Sequence, residues 1–489
     1  MKDHSKHYYT HIGNSSNRPT SSIAGTSRSI SPSNVELELS TFKSHDSGNQ
    51  NGLNDGSGQS FADFEIDAED PLTHPTRAPA KSNMYMAFMN MANSILGAGV
   101  VGQPFAIKNC GIVGGFMALV LLTAIVDWTI RLIVINFKLT GKTTYQDTVE
   151  FAMGKAGKIT VLVVNGLFAF GSCVGFCIIV GDSVPHVLKA FFPSYAGYFG
   201  RNAIISVFSF LVSYPLSLNR NIAKLSKISM LALISIFMIV LIVMIRAPAT
   251  ANELKGTISV SEYFITPRIF QGISIISFAL VCHHNTSFIY FSLKKPSLKR
   301  FSNLTHLSCT ISMVLCLIAG YTGFLSFKSS TKGNILNNFP SDDKFINFAR
   351  FCFGLNMVTT FPLEIFVLRD VARDLIYLRS NRQGDGNIVL DTKKHFIITT
   401  ILVFAAVIIS LTTCNLGALL ELVGSTTASI IAYILPPLTT LCLVGRKKTF
   451  KEKIPYYACI IFGITLMIVS SSQTLFYAYY DKGEKHCEI

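Results

Sequence analysis

Two short runs of this chain carry residue types that can hold a small polar ligand. The first contains Asn90, Asn93 and Ser94, followed by Ile95-Leu96-Gly97-Ala98-Gly99-Val100-Val101-Gly102-Gln103-Pro104. Gly has no side chain to favour helix and Pro104 cannot donate to residue 100, so a helix here is expected to break. A break frees backbone N–H groups and a positive dipole end, which suit a carboxylate. The same glycines serve close helix packing equally well, and the sequence leaves both readings open. The second run is Cys282-His283-His284-Asn285-Thr286-Ser287, with apolar residues on each side. Ionisable groups in such surroundings usually face a pathway, although a single histidine is often only a satisfied interhelical group. Asp127, Glu364 and Glu421 are the acidic candidates for moving a proton, beside the two histidines. Histidine titrates near neutral pH unaided, whereas a carboxylate does so only when desolvated. Asp127 stands four residues before Arg131, so an ion pair on one helix face is the plainer role for it. Glu421 is expected near a helix end, solvated.

The elements that must position these groups are membrane spans. Of the 489 residues, 49% are hydrophobic and 14% are charged, against about 25% charge in a soluble domain. A helix needs roughly 20 mainly apolar residues to cross the hydrocarbon core. Spans are expected over 82–107, 112–136, 159–181, 202–218, 228–246, 269–291, 303–327, 345–368, 395–414, 416–444 and 455–479, the tenth with a break at Gly424-Ser425 or Pro436-Pro437. Eleven such runs cannot be packed inside a soluble protein of this size. The fold class is therefore an all-α polytopic membrane protein with 11 transmembrane helices. Interruptions in the first and sixth spans, each opening a five-helix half, fit a 5+5 inverted repeat plus one extra helix.

Three regions follow: a polar tail over 1–80, a transmembrane domain over 81–480 and a short tail over 481–489. The first is rich in Ser, Asn, Gly, Thr and Asp and is expected to be disordered. Its acidic stretch Glu65–Asp70, with Pro71-Leu72 and Pro75, is a candidate docking peptide for a cytosolic partner or modifying enzyme, or a plain solubilising tail. The first residues are polar, so insertion is expected to use the first span rather than a cleaved leader.

The formal charge of +14 lies in loops beside apolar spans rather than in a patch, which argues against nucleic acid and for a role in orientation. With the N-terminus cytosolic, the cytosolic loops hold Lys138, Lys142, Lys155, Lys158, Arg220, Lys224, Lys227, Lys294, Lys295, Lys299, Arg300, Arg369, Arg373, Arg379, Arg382, Lys393, Lys394, Arg446, Lys447, Lys448, Lys451 and Lys453. That is roughly twice the positive charge of the opposite side, and the C-terminus falls in the lumen. The sequons at Asn14 and Asn285 then lie in the cytosol and within a span, and neither is expected to be glycosylated. Cys173, Cys177, Cys309, Cys316, Cys442 and Cys459 lie in apolar spans, where cysteine behaves as a small buried hydrophobe.

Five segments carry a resemblance. They are Asn93 to Gly99 with Gln103-Pro104-Phe105-Ala106; Tyr145-Gln146-Asp147 to Gly154-Lys155-Ala156-Gly157; Tyr214 to Asn221 with Lys224-Leu225; Phe278-Ala279 through Cys282-His283 and Asn285; and Thr360-Phe361-Pro362 with Ile365-Phe366 and Leu368-Arg369. Together they resemble the amino acid/auxin permease family over residues 82 to about 445. Within it the chain is similar to fungal vacuolar amino acid transporters and next to the sodium-coupled neutral amino acid transporters of animals. The resemblance implies a broken-helix carrier of amino acids. It also implies that Asn93, Ser94, Gly97, Ala98, Gly99, Phe278, Cys282, His283 and Asn285 surround the substrate, with Thr359, Thr360 and Glu364 on the ion-coupling face. Threonine hydroxyls bonding the preceding turn are the competing role for the Thr359–Thr360 pair. Some animal relatives carry cysteines between the fifth and sixth helices, whereas 247–267 has none. No cofactor is implied beyond a coupling ion, with a proton favoured over sodium by the vacuolar resemblance. The expected setting is a monomer in the vacuolar membrane, with the plasma membrane or another endomembrane as the alternative. A sensor built on a carrier fold is a competing class. A membrane-embedded enzyme is disfavoured, because His283 and His284 are adjacent and do not form the i, i+4 pair a zinc site uses.

Overall fold

The computed structural model describes residues 82–220, 228–378 and 390–480. The 1–80 tail, Asn221, Lys224, Leu225, Lys227, Arg379, Arg382 and the 481–489 tail lie outside the described residues. Among the described residues the regular elements are helices, and an isolated bridge joins Ser82 and Leu293. Its membrane part begins with α1 (Met84–Leu96), a 3-10 turn (Ala98–Gly102) and α2 (Gln103–Cys110). There follow α3 (Ile112–Thr140), α4 (Tyr145–Phe191), α5 (Arg201–Phe208), a π turn (Ser209–Ser213), α6 (Tyr214–Ser217) and α7 (Ile228–Arg246). After a short α8 (Val260–Tyr263) come α9 (Ile269–Leu280), a 3-10 turn (His283–Asn285), α10 (Thr286–Ser292), α11 (Leu298–Phe327) and α12 (Lys344–Tyr377). The last elements are α13 (Thr392–Thr412), α14 (Leu416–Val423), π turns over Gly424–Ala428 and Ile430–Ile434, α15 (Leu435–Val444) and α16 (Phe450–Tyr480).

Nine helical stretches among the described residues are long and apolar enough to cross a membrane. Of the eleven expected spans, the fourth falls on Arg201–Ser217, helical throughout with a π turn at Ser209–Ser213, and the fifth on α7; neither is among the nine. The third is longer than expected: α4 begins at Tyr145, where the Thr144 side chain accepts from the Asp147 N–H, and it kinks at Gly154. The tenth departs from α-helix at Gly424, one of the two expected places, and its prolines instead open α15.

Apolar side chains are exposed along α3 (Phe116, Met117, Leu121), α7 (Ile234, Phe237, Leu241) and α16 (Ile461, Ile468, Leu475), as a lipid-facing surface requires. The eleventh expected span is α16, the least buried of the nine, with 28% of its apolar window inside the protein. Five of the six cysteines read as packing residues are buried; Cys442 is exposed. At the core, α12 packs chiefly on α4, and α9 on α2, α3 and α14. Of these, α2 follows the first polar run and α9 precedes the second.

Candidate functional site

The first helix stops at Leu96. Gly97 takes φ 20°, ψ −136°, a conformation open to glycine, and its N–H donates to the Asn93 carbonyl at 3.1 Å. Gln103 Nε2 recovers a freed acceptor by donating to the Gly99 carbonyl at 3.2 Å, while its Oε1 has no protein partner. Pro104 sits in the first turn of α2, where its missing N–H does no harm. A methyl built on Gly99 would lie 2.3 Å from the Ala279 Cβ. The two readings of the glycines therefore divide between residues: Gly97 makes the break, and Gly99 allows the first helix to touch the sixth.

The sixth span breaks opposite. Val281 is extended after α9, and the chain passes through the His283–Asn285 turn into α10. Asn285 Nδ2 donates to Ser94 Oγ at 2.6 Å and lies 2.9 Å from His284 Nε2, so one amide ties the two breaks together. With Asn285 donating, the neutral His284 ring carries its hydrogen on Nδ1, which has no protein partner. The Glu364 Oε1 on α12 is 3.9 Å from His284 Nε2, and Glu364 Oε2 is buried without a partner. The Phe168 ring of α4 packs on His284 at 5.1 Å and on Phe278 at 5.5 Å. His283 turns the other way, with Nε2 at 2.8 Å from Thr129 Oγ1 on α3. Adjacent histidines thus belong to different helix contacts.

Ala98, Gly99, Phe278, Cys282 and His283 are buried, and Asn93, Ser94, Gly97 and Asn285 are half-buried. On α12, Thr360 Oγ1 donates to the Asn356 carbonyl at 2.8 Å and Thr359 Oγ1 to that of Leu355 at 3.0 Å. Both hydroxyls bond the preceding turn. A small cavity of about 10 Å³, room for about one water, lies between α4, α5, the first π turn and α12, lined by Phe176, Cys177, Ser209, Met357 and Phe361.

Asp127 pairs with Arg131 at 2.9 Å, as its spacing suggested, and also meets His306 Nδ1 on α11 at 3.0 Å. Glu421 corrects the expectation of a solvated residue: it is 4% exposed, covered by α2, α9 and α16. Phe168 and His306 were not legible as members of polar clusters, because a phenylalanine in a span carries no polar signal and His306 meets its partner only through the fold.

Compared with known proteins, residues 80–476 match the model of a family described as transmembrane amino acid transporter protein. The chain is 52% identical over 415 residues to vacuolar amino acid transporter 2 of Saccharomyces cerevisiae, covering 84% of this chain and 86% of the relative. It is 32% identical to a putative sodium-coupled neutral amino acid transporter 11 of Danio rerio, over 81% of this chain and 87% of that one. The human protein of the same description is 30% identical, over 76% and 93%.

Proposed function

Because the chain belongs to the transmembrane amino acid transporter family, we propose that it is a proton-coupled secondary transporter of neutral amino acids in the vacuolar membrane. The observation that carries the reading is the Asn285–Ser94 link between two helix breaks, 2.6 Å long and surrounded by buried polar atoms without protein partners. A zwitterion is the chemistry such a place suits. The backbone around Gly97–Gly99 offers N–H groups to a carboxylate, and the carbonyls at the same breaks suit an ammonium. Phe168 and Phe278 offer an apolar wall to the side chain, which favours a neutral substrate.

His284 and Glu364 form the proton-coupling pair in this reading, since both point at the sixth-helix break and neither is held in an ion pair at hydrogen-bond distance. A proton gradient supplies about 1.4 kcal/mol per pH unit. Alternating access then moves the two broken helices against the rest of the bundle, with loops rich in Lys and Arg on the cytosolic side. The vacuolar assignment is supported by the similarity to the yeast protein of that description. Sodium coupling is the second reading, favoured by the names of the animal relatives.

The test is uptake of labelled amino acids into liposomes carrying the purified protein, with pH and sodium set independently on each face. Accumulation driven by a pH gradient without sodium is the expected result. Accumulation that needs sodium moves the assignment to the second reading, and absence of amino acid flux under every gradient removes both.

A further inference from the structure

A second buried carboxylate lies away from the two breaks, and the coupling pair just described does not use it. Glu421 on α14 accepts from Asn109 Nδ2 on α2 at 3.2 Å, from Gln271 Nε2 on α9 at 3.0 Å and from Thr474 Oγ1 on α16 at 3.1 Å. All four residues are more than nine-tenths buried. One side chain thus joins the ends of both broken helices, beyond their breaks, to two helices of the last part of the chain.

None of the three donors is charged, so a neutral glutamine would look adequate if the role were only to hold helices together. The Arg268 guanidinium is the charged group that acts on Glu421, and it is stacked on the Tyr477 ring at 4.0 Å rather than bonded to the carboxylate. Other polar groups on the surrounding elements are engaged elsewhere. Lys108 donates to the carbonyls of Ser329 and Thr331, Cys110 to that of Ile269, Gln473 to that of Pro267, and Ser274 to Ser470 Oγ. From α4, Gly171 and Gly175 approach Val423 and Leu419, which brings no titratable group to this face.

The same partners can also serve a protonated carboxyl. Thr474 Oγ1 already lies 3.0 Å from the Ser470 carbonyl, so its single hydrogen has a second acceptor. Gln271 Oε1 is buried without a partner, and a turned amide would present it to a carboxyl O–H. Protonation therefore exchanges three accepted hydrogen bonds for fewer accepted and one donated, the turned Gln271 amide leaving its NH2 where Oε1 stood unpartnered. A site with two such arrangements and different grip on α2 and α9 is a bistable element.

We propose that Glu421 is a second proton-binding residue of the transport cycle: ionised, it ties the lumen-side halves of the two broken helices to α14 and α16, and protonated it loosens them. This rests on the proton-coupled reading above and on the orientation that the basic loops indicate. Glu421 is a positioning residue, since it acts through α2 and α9 rather than on the substrate.

The experiment uses the full-length protein in liposomes, with cytosolic-face pH fixed and lumenal-face pH stepped while exchange of labelled for unlabelled amino acid is followed. The wild type is expected to show a rate that depends on lumenal-face pH, and Glu421→Gln to show a shallower profile that keeps only the dependence supplied by His284 and Glu364. Asn109→Ala removes one donor to the ionised carboxylate and is expected to move the midpoint of the wild-type profile upward by about one pH unit. A Glu421→Gln profile that follows the wild type overturns the inference. So does an unshifted Asn109→Ala midpoint, which decides the matter if Glu421→Gln does not fold. With the cytosolic-face pH then stepped in the same way, a wild type that ignores pH on both faces sinks the proton-coupled reading itself, a different result from a wild type that responds through other residues.

Discussion

Glu364 stands 3.9 Å from His284 Nε2, beyond hydrogen-bond reach but close enough that a proton on the ring would be attracted to the carboxylate. Glu364→Gln keeps the side chain's shape and removes its capacity to exchange a proton. Accumulation driven by a pH gradient is expected to fall to simple equilibration, a loss of roughly tenfold for each proton and pH unit; the ratio of internal to external label at steady state measures it. Asn285→Ala cuts the amide that joins the breaks, and the KM for amino acid is expected to rise roughly tenfold, the scale of one buried hydrogen bond. An unchanged KM would take Asn285 out of the site. The resemblance put His283 among the substrate residues and left His284 a proton candidate, but neighbouring residues share composition, and which helix each ring meets was not legible. Glu421 was misread for a related reason: Asn109, one of its partners, is 312 positions away. Local polarity marks a residue as unusual, and only the tertiary contacts say what satisfies it.

At the scale of the helix, the first break rests on two glycines whose reasons differ, and a pair of substitutions separates them. Gly99→Ala brings a methyl to 2.3 Å from the Ala279 Cβ, and overpacking of this kind costs about 1–3 kcal/mol. Ala279→Gly removes the Cβ but leaves the residue 279 Cα at 2.5 Å from the added methyl, so the double variant Gly99→Ala/Ala279→Gly is expected to recover only part of the thermal stability that Gly99→Ala loses in detergent. Gly97→Ala meets no side chain, its nearest contact being the Asn93 carbonyl at 3.9 Å, and its cost lies in the backbone. Ala279→Gly should therefore leave Gly97→Ala unrescued, and rescue there would return Gly97 to a packing role. Breaks of this kind were legible in the sequence because Gly, Pro and consecutive polar residues interrupt an apolar run. The π turn of the fourth span was not, since Ser209–Ser213 has no residue that forbids α-helix.

For the whole molecule, the proposed orientation rests on the basic loops, and the two faces differ in how tightly their connections are held. The loop between α11 and α12 is pinned by Arg350, wholly buried, whose guanidinium donates to the carbonyls of Leu336, Phe339 and Pro340 and to Asn347 Oδ1. Asn337 of the same loop donates to Asp182 on α4, which is paired with Arg201 at 3.4 Å. These contacts fasten a connection over one end of the bundle, the end where Gly333 lies against Gly417 at the start of α14. Basic residues are sparse on that side, which the positive-inside bias assigns to the lumen. An Asn-Ser-Thr acceptor inserted between the exposed Glu253 and Leu254, in the loop between α7 and α9, is therefore expected to gain glycan in a eukaryotic host. The same insertion between Lys294 and Lys295, at the opposite end, is expected to gain none. A mobility shift on gels that is reversed by glycosidase reads both. The reverse pattern would place Glu421 on the cytosolic face, and its protonation would then answer to cytosolic rather than lumenal pH.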